Sequence, residues 1–141
     1  MFVQTFLPDS SFETSAKILD YRRLGKQRVE TLQLLKALSG EKAGWSNHPA
    51  AKMWKGHTNA LVLYGVVMCK EWIERGYKDT CLEKIKLYWR EDLPVNYPKW
   101  MSNEDFFASH RSNLLRKHQD YYSSFGWSEP DTLEYVWPTN L

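Results

Sequence analysis

The stretch HTNALVLYGVVMCKEWIERG, residues 57–76, constrains the fold more than any other part of the sequence. Its middle is apolar on nearly every side of a helix, so the helix has to be surrounded by other parts of the chain. Glu71, Glu74 and Arg75 mark its more polar end, and Gly76 supplies a stop signal. The pattern predicts a central buried helix with other helices packed around it.

Helix signals dominate the rest of the sequence. Ser10 to Glu13 and Thr80 to Glu83 both read S/T-x-x-E, the capping box that opens a helix. Besides the central helix, we expect helices at about residues 10–19, 20–38, 80–90 and 104–122, and one from about residue 49 behind an Asn47 or His48 cap. Gly25 leaves a break in the second helix as an alternative. Only FVQTF, residues 2–6, hints at a strand, so the predicted class is all-α with an irregular C-terminal tail from residue 126.

Length and charge narrow the possible classes of protein. The chain has 141 residues and no repeat or linker, so we expect one compact domain over residues 1–141. The formal net charge is only +2, so an anion-binding surface has to come from local clusters. No apolar run of about 18 residues and no signal-peptide pattern is present. Cys69 and Cys81 lack disulfide-framework spacing, and we expect a cytoplasmic protein without membrane contact.

The second predicted helix carries the main candidate site. LDYRRLGKQRVETLQLL, residues 19–35, places cations at the helix start, where they oppose the macrodipole. Because residues three and four apart share a helix face, Arg22, Lys26 and Glu30 line up. This pattern favours a phosphate ligand, and a solvated charged face is the alternative. The predicted phosphate- or nucleotide-binding residues here are Arg22, Arg23, Lys26, Gln27 and Arg28, with Glu30 as the catalytic carboxylate.

Two further polar clusters are candidates for the same ligand. In WSNHP, an amide and an imidazole follow an aromatic residue, which suits contact with a base edge. The nearby MW pair adds a second tryptophan. The predicted base pocket therefore consists of Trp45, Asn47, His48 and Trp54. SHRSNLLRK adds predicted phosphate contacts at His110, Arg111 and Ser112. A helix cap and a solvated helix face are the simpler interpretations of these clusters.

Several classes of chemistry are not indicated. The four histidines show no i,i+4 pair and neither cysteine lies in a C-x-x-C motif, so we expect no metal and no cofactor. The absence of a Gly-rich phosphate loop and of G-x-S-x-G argues against a P-loop NTPase or an α/β-hydrolase.

Three motifs, LDYRRLGKQRVE, EWIERGYKDT and SHRSNLLRKHQDYYSSFGW, carry a resemblance over nearly the whole chain. The chain resembles the pyrimidine-dimer DNA glycosylases of the bacteriophage endonuclease V type. It is more similar to a short bacterial and phage branch with RLGKQR, NHP and SHRSNLL. The resemblance implies a compact all-α fold, base excision from duplex DNA and subsequent strand cleavage. It also implies an α-amine nucleophile that attacks the sugar C1′, assisted by a carboxylate on the arginine helix.

The resemblance also assigns roles to individual residues. Arg22 matches a family arginine, whereas Arg23 occupies the position of the family's catalytic glutamate. Glu30 is therefore the expected carboxylate, and Asp20 is the alternative. Because the bulky Phe2 blocks removal of the preceding methionine, the predicted nucleophile is the α-amine of Met1.

Two functions follow as alternatives. The first is a DNA-binding base-excision glycosylase for damaged or modified bases, with AP-lyase activity as an optional second step. The second is a non-catalytic pocket protein that binds or sequesters a nucleotide or a nucleotide-derived signalling molecule, as in phage anti-defence. The partner is DNA in the first case and a nucleotide-like small molecule in the second. The resemblance favours the first function, and the modest net charge favours the second.

Overall fold

The computed structural model describes residues 4–41 and 48–138, and this part of the chain is helical without any β-strand. The helices are α1 (Phe12–Ile18), α2 (Tyr21–Leu38), α3 (Pro49–Trp54), α4 (Thr58–Glu74), α5 (Leu82–Lys86), α6 (Glu104–Lys117) and α7 (Gln119–Tyr122). Two 3-10 turns cover Lys99–Ser102 and Ser123–Phe125. The predicted all-α class is confirmed, and residues 4–6 of the suggested strand have no regular secondary structure.

Helix α4 is the centre of the fold, as its apolar sequence predicts. It packs against α2, α1 and α5, and Leu61, Tyr64 and Met68 have no exposed surface. Helix α2 approaches most closely at Gly65, where an added Cβ would lie 2.6 Å from Cγ2 of Thr31. A side chain at this position would separate the two helices, because real Cβ atoms do not come so close to a neighbour.

Helix α2 runs without a break through Gly25. A Cβ added at Gly25 would meet the ring of Trp72 on α4 at 3.0 Å. The glycine therefore serves helix–helix packing, which compensates for its low helix propensity. The sequence pattern alone could not distinguish this role from a kink.

Helix ends differ from the predictions by small shifts that have local causes. Ser11, rather than Ser10, caps α1 by accepting a hydrogen bond from the N–H of Thr14 at 3.1 Å. His48 caps α3 through its Nδ1, which accepts the N–H of Ala50 at 3.0 Å. At α5 the carboxylate of Asp79 accepts the N–H of Leu82 at 2.7 Å.

Two predicted helices are shorter than expected. Helix α5 ends at Lys86, and the chain then continues in tight turns with hydrogen bonds between residues three apart. The predicted helix over residues 104–122 is interrupted at His118, whose φ of −151° and ψ of 74° are not helical. This change of direction places Tyr122 of α7 in the core, where it contacts Asp20.

Candidate functional site

The N-terminal segment, residues 4–7, is buried although it forms no helix or strand. Buried backbone N–H groups need partners, and side chains supply them here. Gln27 Oε1 accepts the N–H of Phe6 at 2.9 Å and the hydroxyl of Tyr64 at 2.6 Å. Glu30 Oε2 accepts the N–H of Gln4 at 3.0 Å. Helix α2 thus holds the start of the described chain against its polar face.

His110 holds the same segment from the other side. Its Nδ1 accepts the N–H of Leu7 at 2.9 Å, which requires this nitrogen to be unprotonated. The imidazole is fully buried, and burial lowers its pKa to about 3. His110 is therefore a neutral, fixed group that organises the N-terminal segment.

A cavity of about 470 Å³ opens beside this segment. From α2 it is lined by Arg22, Arg23, Lys26, Gln27 and Glu30. The rest of its lining is Gln4, Phe6, Lys117, Tyr135 and Trp137. This cavity, called the cationic pocket below, contains four cations and a single carboxylate. Its size is within the usual range for small-molecule sites.

The cations of the pocket are available for a ligand. Within residues 4–41 and 48–138, Arg22, Lys26 and Lys117 form no salt bridge. Partial burial lowers the pKa of the Lys117 ammonium, and the nearby Arg23 lowers it further. Such concentrated positive charge favours a bound anion.

Glu30 has a partly shielded carboxylate at the centre of these cations. Partial burial raises its pKa above the usual value of 4.5. The hydrogen bond from Gln4 and the charges of Lys26 and Lys117 act in the opposite direction. A carboxylate held between the N-terminal segment and the cations of the pocket is placed to take part in acid–base chemistry on a bound ligand.

The buried carboxylate of Asp20 orients Arg23. Its Nη1 lies 3.2 Å and 3.3 Å from the two carboxylate oxygens of Asp20. Asp20 is itself buried and accepts a hydrogen bond from the hydroxyl of Tyr122, which in turn accepts the Asp20 N–H at 2.9 Å. Asp20 therefore positions Arg23 and is not free to act on a ligand.

One side of the pocket is aromatic. The ring of Phe6 lies 6.3 Å from that of Tyr135, and Tyr135 lies 5.7 Å from Trp137, measured between ring centroids. His48 touches Trp137 edge-on at 6.2 Å. A ligand in the cationic pocket would have aromatic surface on one side and positive charge on the other, the arrangement that suits a base attached to a phosphate.

Comparison with known proteins identifies the family. The family model described as pyrimidine dimer DNA glycosylase matches residues 3–85, more than half of the chain. The chain belongs to this family. No curated protein and no solved structure matches it. The residues matched by the glycosylase family include the five pocket residues of α2, whereas Lys117, Tyr135 and Trp137 lie beyond them.

Arg28 does not line the cationic pocket, unlike the other predicted residues of α2. Its guanidinium is 2.5 Å from the carboxylate of Asp79 and stacks 4.4 Å from the ring centroid of Trp72. Burial alone would raise the pKa of Asp79, but the N–H of Leu82 and the Arg28 guanidinium lower it. The spacing along α2 places Arg28 on a different face from Arg22 and Lys26, and there it has a structural partner.

The predicted cluster on α6 is also structural. Arg111 donates to the backbone oxygen of Pro8 at 2.8 Å and to the carboxylates of Glu129 and Glu104. Ser112 is buried and accepts the N–H of Leu133 at 2.9 Å. Together with His110, these residues fix the N-terminal segment and the C-terminal tail to α6, and none of the three lines the cationic pocket.

The predicted base pocket is only partly described. Trp54 is fully buried and donates its indole N–H to Thr5 Oγ1 at 3.0 Å, so it belongs to the core. His48 lies behind Trp137 rather than in the pocket lining. Met1, Trp45 and Asn47 fall outside the described residues.

Sequence reasoning did not assign half of the pocket lining. Lys117 was recognisable as a charge one turn beyond Arg111, but nothing in the spacing shows that the end of α6 faces α2. Gln4 and Phe6 come from a non-helical segment without periodicity, and Tyr135 and Trp137 from the irregular tail. Aromatic residues in such segments are usually assigned to the core.

Neither a metal site nor a membrane helix is found in the described part of the chain. No three His, Cys, Asp or Glu side chains there are grouped so that they could hold a metal ion. None of the helices in this part is long and apolar enough to span a bilayer.

Proposed function

We propose that this protein is a base-excision DNA glycosylase for damaged or modified bases, with the cationic pocket as its active centre. In this proposal residues 1–141 act as one domain, since the tail is bonded to α6 through Leu133 and Val136. Membership of the pyrimidine dimer DNA glycosylase family supports DNA as the substrate.

The observation that carries the proposal is the contact between the N-terminal segment and Glu30. The backbone N–H of Gln4 is bonded to the Glu30 carboxylate at 3.0 Å, and both residues line the pocket. Three residues of chain span at most about 11 Å. The length of chain before Gln4 is thus compatible with the proposed pairing of the Met1 α-amine with Glu30, although the position of the family's glutamate holds Arg23.

The reaction uses the neutral α-amine of Met1 as nucleophile. An α-amine has a pKa of about 8, so a useful fraction is neutral at neutral pH. The amine attacks C1′ of the sugar, and the base leaves with the electrons of the glycosidic bond and takes up a proton from water. Glu30 accepts the proton that the amine releases. An AP-lyase step would require opening of the sugar ring: the C1′–O4′ bond breaks, O4′ takes up a proton and the C1′–N bond becomes an imine. Loss of a C2′ proton from this imine then expels the 3′ phosphate.

The other pocket residues bind the substrate in this proposal. Arg22, Arg23, Lys26 and Lys117 hold the phosphates on either side of the reacting sugar. Tyr135 and Trp137 provide stacking surface for a base that has left the duplex. Gln27 fixes the N-terminal segment to α2 and acts through position rather than contact with DNA.

The test is base excision by Glu30→Gln. This variant should lose roughly 100-fold or more of excision activity, because the proton acceptor is removed, while its affinity for DNA stays nearly unchanged. Glu83→Gln is the matched control, since Glu83 is exposed on α5 and far from the pocket lining. Full activity of Glu30→Gln would refute the proposed role of the carboxylate.

A nucleotide-binding function is the second candidate, and the size of the pocket, with aromatic rings on one side and cations on the other, favours it. Arg28 and Arg111 are occupied by acidic partners, so these two predicted phosphate contacts do not extend the cationic pocket into a longer duplex-binding surface. Arg22→Ala and Lys26→Ala should then abolish binding of a mononucleotide, and DNA should compete poorly. Equilibrium dialysis with a labelled nucleotide, alongside the excision assay, distinguishes the two functions.

A further inference from the structure

A stack of four flat groups lies beside the first half of α2, on the helix face that carries Arg28. The Arg28 guanidinium covers one face of Trp72 at 4.4 Å. Trp72 stacks on Tyr77 with ring centroids 4.3 Å apart and an angle of 26° between the rings. Tyr77 in turn lies 6.3 Å from Tyr21 with an angle of 25°. Protein aromatic pairs often meet edge to face, whereas these rings are near-parallel, as in stacked bases.

The inner half of the stack is fixed by several independent contacts. The indole N–H of Trp72 donates to the backbone oxygen of Lys78 at 3.0 Å. Gly25 leaves room for the Trp72 ring, since a Cβ there would lie 3.0 Å from it. Arg28 is held by the buried carboxylate of Asp79. The ring planes are thus set before any ligand arrives.

The outer half of the stack is exposed. Tyr21 is 51% exposed and Tyr77 is 42% exposed, so large aromatic surfaces face solvent beside each other. Contacts within the protein cover only about half of each residue, and the remaining aromatic surface has no partner in the described part of the chain. A stacking ligand would bury this surface.

Arg22 connects the stack to the cationic pocket. Its Nε donates to the hydroxyl of Tyr21 at 3.2 Å, and its guanidinium lies 5.8 Å from the Tyr21 ring centroid. Arg22 also lines the pocket. A strand whose phosphate is bound by Arg22 would therefore come close to Tyr21.

We propose that Tyr21 and Tyr77 form a stacking platform for an unpaired base of the nucleic-acid strand that enters the cationic pocket. The platform binds the nucleotide next to the one in the pocket and is indifferent to its sequence, since every base has a flat face. The proposal rests on the proposed function for its DNA partner. It adds a second contact site, on the surface formed by the start of α2 and the end of α4.

The experiment measures affinity for a single-stranded oligothymidylate at fixed ionic strength. Tyr21→Ala and Tyr77→Ala should each weaken binding about fivefold or more, the loss typical of a stacked base. Tyr21→Phe keeps the ring and should bind within about twofold of the parent protein. Tyr97→Ala is the matched control: Tyr97 is 54% exposed but contacts Phe12, away from the stack.

A change in the ligand gives an independent test that does not depend on the stability of the variants. An oligonucleotide of stable tetrahydrofuran spacers keeps the phosphates but has no bases. The parent protein should bind it more weakly than oligothymidylate, and Tyr21→Phe should show the same difference. Equal affinity of the parent protein for the two ligands, or equal binding by Tyr21→Ala and Tyr97→Ala, would overturn the platform.

Excision of a damaged base is measured in parallel, so that the two proposals can fail separately. If the parent protein excises the damaged base and Tyr21→Ala binds the oligonucleotide as tightly as the parent protein, the platform is refuted and the glycosylase function is supported. Weaker oligonucleotide binding by Tyr21→Ala without any excision by the parent protein would support the platform and refute the glycosylase. A parent protein that neither binds the oligonucleotide nor excises a damaged base would refute both.

Discussion

The backbone N–H of Gln4 and the carboxylate of Glu30 are joined by a 3.0 Å hydrogen bond across 26 positions of sequence. This contact brings the start of the described chain and the carboxylate of the cationic pocket into one site. It also satisfies a buried donor that no regular secondary structure supplies with a partner. The catalytic proposal and the packing of the N-terminal segment therefore depend on the same residue.

The pH dependence of excision should reflect Glu30. The carboxylate has to be ionised to accept a proton, and partial burial raises its pKa above 4.5. We expect kcat/KM to fall towards acid with an apparent pKa above this value. The residual activity of Glu30→Gln should not show this decrease of kcat/KM at acidic pH, which is the acid limb of the pH profile. An unchanged acid limb in that variant would assign the titration to another group.

Stability should decrease as the pH falls below about 6.5, because of His110. Its pKa is about 3 in the folded protein and about 6.5 in the unfolded chain. Between these values the unfolded chain binds a proton that the folded protein does not, so acid favours unfolding. Near pH 5 the expected loss is about 2 kcal/mol.

Urea unfolding near pH 7 and near pH 5 measures this effect. His110→Asn is the comparison, because its side-chain oxygen can still accept the N–H of Leu7 and it does not titrate. The parent protein should lose more stability between the two pH values than the variant. Equal losses would show that other groups dominate the acid response.

Gln27 should be a strong determinant of stability. Its Oε1 accepts both the N–H of Phe6 and the hydroxyl of Tyr64, which are buried. Gln27→Ala leaves the buried N–H of Phe6 without a partner, whereas the hydroxyl of Tyr64 can still donate to the backbone oxygen of Phe6 at 2.8 Å, and we expect a loss of about 1–3 kcal/mol of unfolding free energy. Gln33→Ala is the control on the same helix, since Gln33 is only partly buried. A difference below about 0.5 kcal/mol between the unfolding free energies of the two variants would contradict the proposed role of Gln27 in fixing the N-terminal segment.

The sequence was sufficient to predict the fold class and the central helix, because α4 is apolar on nearly all sides. It also placed Arg22, Lys26 and Glu30 on one face of α2, since that relationship is local. It could not show that Arg28 has a structural role while its neighbours line the pocket, because Asp79, the partner of Arg28, lies 51 residues away in the sequence. Lys117 and Trp137 reach the pocket through long-range packing, which leaves no periodic trace in the sequence.

Close packing at Gly65 should make Gly65→Ala destabilising, although alanine is the better helix former. The new methyl group would lie 2.6 Å from Cγ2 of Thr31 and 3.1 Å from Cδ1 of Ile85. We expect a loss of about 1–3 kcal/mol by thermal or urea unfolding. Thr31→Ser removes the nearest methyl group, so part of the loss should be recovered in the double variant. Additive effects of the two substitutions would argue against this contact.

Borohydride trapping on abasic-site DNA should identify the amine that performs the covalent step. The α-amine of Met1 is expected to form an imine with the sugar aldehyde, releasing water, and borohydride reduces this imine to a stable secondary amine. Lys117 is the competing amine, because it lines the pocket and partial burial lowers its pKa.

Peptide mapping of the adduct should place the sugar on the N-terminal peptide, and Lys117→Arg should trap as efficiently as the parent protein. An adduct on Lys117 would transfer the nucleophilic role to α6. The absence of any adduct would refute amine catalysis and leave excision by water, activated by Glu30, as the mechanism to be tested.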